Sequence, residues 1–185
     1  MSWRRRSLVV LGVIAIVAAV LYGVGRAYWY WQFPYGMSHC CDIGLVGTLQ
    51  NYAHDHGGAF PSGEETPEAS LSLLYPKYAN ANLLRGKTVP LETVEEILDS
   101  GQLLGPETCG WHYVEGLTLK DDTHIAILWD KIGLGHNGER LPEGGHYVVF
   151  LTGYREYIPE SEWPAFLEKQ EELLRQRRPI QREQP

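Results

Sequence analysis

Residues 7–25 run SLVVLGVIAIVAAVLYGVG without a charged side chain and with almost no polar one. At about 1.5 Å per helical residue this stretch reaches roughly 28 Å, close to the hydrocarbon thickness of a bilayer. Beyond it the pattern becomes amphipathic and broken. Phe33-Pro34-Tyr35-Gly36 interrupts any continuous helix. A second helix is predicted over 38–55, with Ser38 as N-cap, Asp42 in the first turn, and Ile43, Val46, Leu49 and Ala53 at helical spacing. Gly57-Gly58 stops it. A short helix over 67–74 has Pro67 at its first position and Pro76 closing it, and an acidic helix over 90–100 ends at Gly101. From Trp111 the period changes from helical to alternating. Strands are predicted over 111–114, 124–129 and 147–151, and the last turns at Thr152-Gly153 into 154–158 as a hairpin. A loop rich in Gly and Asn, 133–145, separates the second strand from the third. Pro159-Glu160-Ser161-Glu162 opens a final helix, whose Trp163, Phe166, Leu167, Leu173 and Leu174 are placed to pack on the sheet. Helices followed by an antiparallel meander give an α+β domain behind a transmembrane helix.

The flanks of the apolar run set its expected orientation. Arg4, Arg5 and Arg6 precede it and, by the positive-inside rule, mark the cytoplasmic side; Tyr28-Trp29-Tyr30-Trp31 follows and suits the opposite interface. A cleaved signal peptide also starts with basic residues and an apolar core. This run is longer than such a core usually is, and Val24-Gly25-Arg26 makes a poor cleavage junction, so an uncleaved signal anchor is the better reading. The expected organisation is a cytoplasmic N-terminus over 1–6, a transmembrane helix over 7–25, an interfacial linker over 26–37, an extracytoplasmic domain over 38–174, and a basic, flexible tail over 175–185 carrying Arg175, Arg177, Arg178 and Arg182.

Charge sharpens this picture. The chain carries 16 Lys+Arg and 23 Asp+Glu, a net of −7. Without the four arginines up to Arg26, 12 basic residues face 23 acidic ones, a net of −11. Nucleic acid is excluded as a partner, and an anionic lipid face is disfavoured for the same surface, because the phosphate contacts that drive such binding would be repulsive. Three cysteines remain, Cys40, Cys41 and Cys109. Outside the cytoplasm, a disulfide from Cys109 to Cys40 or Cys41 stands beside the alternative of three small buried or free thiols.

The order of segments resembles a known family. CDIGLVGTLQNYAHDHGGAFP, from Cys41 to Pro61, looks like the post-anchor helix and turn of bacterial type II secretion pseudopilins, and more closely like their exported prepilin-like relatives with "NY..DHGG.FP". Gly105-Pro106-Glu107 and the segment from Trp111 to Thr118 are similar to the family's "CPSD … SYVYVPGLT". Ile127-Leu128-Trp129-Asp130-Lys131 is similar to "ILAYDK", and His136-Asn137-Gly138 with the segment from Gly144 to Ile158 to "HGG … RNVLFADGHVEWI". The resemblance implies a pilin-like domain, with a helix on a small antiparallel sheet. It implies a structural or interaction component of a secretion or surface-assembly system, not a catalyst. It also implies the bacterial inner membrane, a single pass with the domain in the periplasm or outside, and other pseudopilin-like proteins as partners. The chain departs from the family at its anchor. The apolar run follows Arg6 with no Gly-Phe junction and no acid inside it; Gly105 stands at the family's Cys and Thr152 at the Asp of its "DG" turn. These departures imply an anchor that tethers the domain and does not polymerise it.

His54, His56 and His136 are candidates for a divalent metal, with Cys109 as a further ligand, and they define an alternative reading as an exported metal- or ligand-binding domain. Residues two apart on a helix do not share a face, and histidines in a last turn suit the helix dipole, so no metal or cofactor is assigned. Cys109 near His112 lacks an orienting group, and no nucleophile, base and orienter set can be assembled; no catalytic residue is expected.

Overall fold

A computed structural model of the chain describes residues 3–38 and 40–177; the side chains of Arg4, Arg5 and Arg6, and the tail residues Arg178 and Arg182, lie outside that description. Helix α1 spans Trp3–Gln32. Its stretch Ser7–Gln32, 26 residues, is long and apolar enough to cross a membrane, and its most apolar window has no part buried against the rest of the chain. The helix thus continues past the predicted boundary at 25, through the Tyr-Trp cluster, and stops before Pro34.

The domain is α+β. Helix α2 (Asp42–Asp55) begins four residues later than predicted. Cys41 is its N-cap, the sulfur accepting from the Gly44 N–H at 3.2 Å. Ser38 fails as the cap because its groups are used elsewhere, as described below. Helix α3 (Pro67–Leu71) is capped by Thr66 and tightens into a 3-10 turn over Ser72–Leu74. The short helix α4 (Ala81–Leu84), capped by the Asn80 side chain, was not read from the sequence; a single turn has too little periodicity to register. Helix α5 (Leu91–Asp99) buries Val94 and Leu98 and ends at Gly101 with φ of 77°.

Strands β1 (Trp111–Tyr113), β2 (Ala126–Asp130), β3 (His146–Phe150) and β4 (Arg155–Ile158) form one antiparallel meander in sequence order. The first core joins Leu45, Val46, Leu49 and Ala53 of α2 to Trp111, Tyr113, Ile127, Leu128 and Val149. Across the sheet, Ala126, Trp129, Val148 and Ile158 pack against Trp163, Phe166 and Leu167 of α6 (Trp163–Gln176). A register shift between Ala126 and Leu128 lets the consecutive residues Ile127 and Leu128 both join the α2 side. Buried Gln170 of α6 repairs the disturbed edge: it accepts from the Ala126 N–H at 2.9 Å and donates to the His124 carbonyl at 3.2 Å. With helices on both faces, every residue of β2 is buried.

Helix α6 extends beyond 174, so Arg175 belongs to it. Arg177 is not part of a loose tail either: its Nε pairs with Asp121 at 2.7 Å, and its guanidinium also donates to the Gly116 carbonyl.

Candidate functional site at the foot of the apolar helix

A helix ends with carbonyls that lack intrahelical donors. At the end of α1, Phe33 donates to the Trp29 carbonyl at 2.9 Å, and Pro34 has no N–H to continue the ladder. The Trp31 and Gln32 carbonyls are taken by one residue from the far side of the chain. The Arg140 backbone N–H donates to Gln32 O at 2.8 Å, its Nε donates to Trp31 O at 2.7 Å, and Gln32 Nε2 returns a bond to Arg140 O at 3.2 Å. A guanidinium at a helix C-terminus also opposes the negative end of the macrodipole.

Arg140 can do this because the Gly- and Asn-rich loop is folded on itself. Leu134 and Arg140 form an antiparallel bridge, Gly135 donates to Glu139 O at 2.7 Å, and Gly138 donates to Gly135 O at 3.0 Å. Gly138 has φ of 85°, and a Cβ there would stand 3.1 Å from the Gly36 carbonyl, so only glycine lets this turn lie against the linker. The Ser38 N–H then donates to Asn137 O at 2.9 Å. The loop is a clasp around the end of α1 and the start of the linker.

The linker is fastened equally well on its inner side. Ser38 Oγ accepts from Arg85 Nη2 at 2.8 Å, while Arg85 also donates to Asn82 Oδ1 and to Val89 O at 3.0 and 3.1 Å. The Cys40 thiol donates to Asn82 O at 3.0 Å. Two ion pairs follow. Buried Asp42 stands 3.0 Å from Arg155 Nε, whose guanidinium lies 3.8 Å over the Tyr147 ring. Lys87 and Asp130 form a fully buried pair, with the Lys87 ammonium also near the Trp111 ring. Burial pushes the Asp130 carboxyl up to about 6, against the pull of Lys87. The Asp130 carbonyl accepts from His146 Nδ1 at 3.0 Å, and His146 stacks on Trp163 at 4.0 Å. Burial pushes the His146 pKa below its ordinary value. The four charges tie the start of α2, the segment after α4, the end of β2 and the start of β4 into one unit.

The residues singled out from sequence are dispersed. His56 stacks on Tyr52 at 3.8 Å and contacts its carbonyl through Nδ1; Asp55 is held by Lys77 and Tyr78; His54 is exposed. All three sit at the end of α2, whereas His136 sits in the clasp that meets the chain at Ser38, before α2 begins. Fourteen residues of helix put those ends about 20 Å apart. Among the described residues, no group of three or more His, Cys, Asp or Glu side chains is arranged to hold a metal.

A disulfide from Cys109 to Cys40 or Cys41 is not formed: Cys40, Cys41 and Cys109 are free thiols. Cys41 is turned into its cap, and the buried Cys40 and Cys109 thiols point to carbonyls of α4 and its neighbours, Cys109 to Leu84 O at 3.3 Å. Burial raises both buried thiols to about 12, which leaves them unreactive. His112 is stacked on Trp129 at 4.1 Å and is not paired with Cys109. The chain matches no protein-family model, no curated protein and no solved structure.

Proposed function

We propose that this chain is a membrane-anchored, extracytoplasmic structural or protein-interaction domain of pseudopilin-like type, attached to a secretion or surface-assembly system. The observation that carries this reading is the clasp. The apolar helix is not joined to the domain by a free tether; its last carbonyls are bound by Arg140 and its linker is sewn to Ser38, Arg85 and Asn137. Such a junction holds a domain in a set pose at a membrane, which a scaffold or assembly partner requires and a freely tumbling enzyme does not. The antiparallel meander under α2 is consistent with the pilin-like order of segments. The charged residues of the domain support the same view, since the most deeply buried of them neutralise one another and hold elements together. In this reading α1 crosses the bacterial inner membrane once, N-terminus inside. The absence of an acid within its apolar run makes it a tether and not a polymerising helix.

Crosslinking of the full chain in intact membranes tests the interaction role. Defined adducts with a second protein are expected. Recovery of monomer alone, at every level of the protein, would overturn it.

A further inference from the structure

We propose that the domain is seated on the bilayer, with a phospholipid headgroup held in the groove at the foot of α1. This inference rests on α1 spanning the membrane, and deepens that reading by giving the domain a fixed height.

The groove has a volume of about 300 Å³ and is lined by Trp31, Pro34, Tyr35, Arg140, Leu141 and Pro142. Its height follows from the helix. Charge first interrupts the apolar run at Arg26, which donates to the Tyr30 hydroxyl and lies over that ring. The uncharged stretch over 7–25 already fills the hydrocarbon layer of about 30 Å. From Arg26 to Gln32 the helix climbs only about 10 Å more, through the headgroup layer where Tyr and Trp rings settle. Arg140 is bound to the carbonyls at that point, so the clasp and groove cannot rise above it.

The chemistry of the groove fits this depth. Its walls are apolar and aromatic, as the glycerol and first methylenes of a lipid require, and Arg140 brings an exposed guanidinium that forms no ion pair among the described residues. A guanidinium is the natural partner of a phosphodiester. Of the lining residues Tyr35 and Ile132 are exposed at 48 % and 43 %, and Met37 on the adjoining linker at 61 %, a large apolar load for an aqueous surface. The exposed rings of Tyr28, Trp29, Tyr30 and Trp31 lead from the apolar run of α1 to this end of the helix. Among the residues lining the groove Arg140 is the one cation, and Glu143 stands between the lining residues Pro142 and Gly144.

The test uses the full chain in vesicles of phosphatidylcholine with a minority of phosphatidylglycerol. Spin labels are placed singly at Ile132→Cys, Tyr154→Cys and Val17→Cys in a Cys41→Ser background, where the serine keeps an N-cap and the other two thiols stay buried. Tyr154 lies on the turn at the end of β3 opposite the clasp. Access of a water-soluble relaxation reagent is then compared with access of oxygen. The expected result is that the Ile132 label loses most of the water-side access seen at Tyr154 and reads a depth within about 10 Å of the hydrocarbon edge. If Ile132 is as open as Tyr154 while Val17 is protected, the seat is overturned and the anchor stands. If Val17 is itself open to the reagent, the spanning helix fails and the seat with it.

Discussion

The buried pair of Lys87 and Asp130 is where single atoms matter most. Removing one partner of such a pair leaves an uncompensated charge in a buried site, which costs about 3–5 kcal/mol. Asp130→Asn is therefore expected to lower the unfolding free energy by that amount in denaturant titration, and a loss below about 1 kcal/mol would show that the pair is not the lock described. His146 adds a pH dependence with a definite sign. Its pKa is depressed in the folded state by burial behind Trp163, against about 6.5 when unfolded. As pH falls through 6.5 the unfolded chain takes up a proton that the folded chain resists, so stability is lost on the acid side. The stability advantage of the native chain over His146→Gln should shrink as pH is lowered from 7 to 5.5; a constant difference would contradict the depressed pKa.

Among the elements, the clasp is the least expected and the most exposed to test. Arg140→Ala removes the bond to Trp31 O and the charge opposite the helix end, a contribution of about 1 kcal/mol, but leaves the backbone bond to Gln32 O. Hydrogen exchange should quicken across 134–140 and at the start of the linker, while β2 and β3 stay protected. Gly138→Val should act more strongly, because φ of 85° and the nearby Gly36 carbonyl both reject a side chain. Exchange spreading evenly through the sheet in either variant would mean that the loop is not a separate clasp.

The strands were legible because β2 and β3 are dense in Val, Ile and Trp between charged or glycine-rich ends. The α6 face was legible from helical spacing of Trp163, Phe166 and Leu167. The clasp was not. Gly133 to Gly145 reads as an open connection by composition, and nothing local says that Arg140 will meet Gln32, which lies 108 residues earlier. The same holds for Asp42 with Arg155 and Lys87 with Asp130, whose partners are set by the sheet and carry no spacing signal. The histidines at 54 and 56 lie two apart in sequence, with Asp55 between them; on the folded chain both are separated from His136 by the length of α2.

Taken whole, the molecule is an apolar rod whose end is gripped by a two-sided α+β domain. The rod gives location, the clasp gives a fixed pose, and the internal ion pairs give the domain its rigidity. We propose that α1 remains in the chain as a membrane anchor with the domain outside. Alkaline carbonate extraction of cell membranes, followed by protease digestion from the extracytoplasmic side, tests it most directly. Full-length protein is expected in the carbonate-resistant pellet, with the domain digested only after the outer face is opened and a fragment containing α1 left behind. A shortened chain released into the soluble fraction, or a domain digested only from the cytoplasmic face, would contradict it.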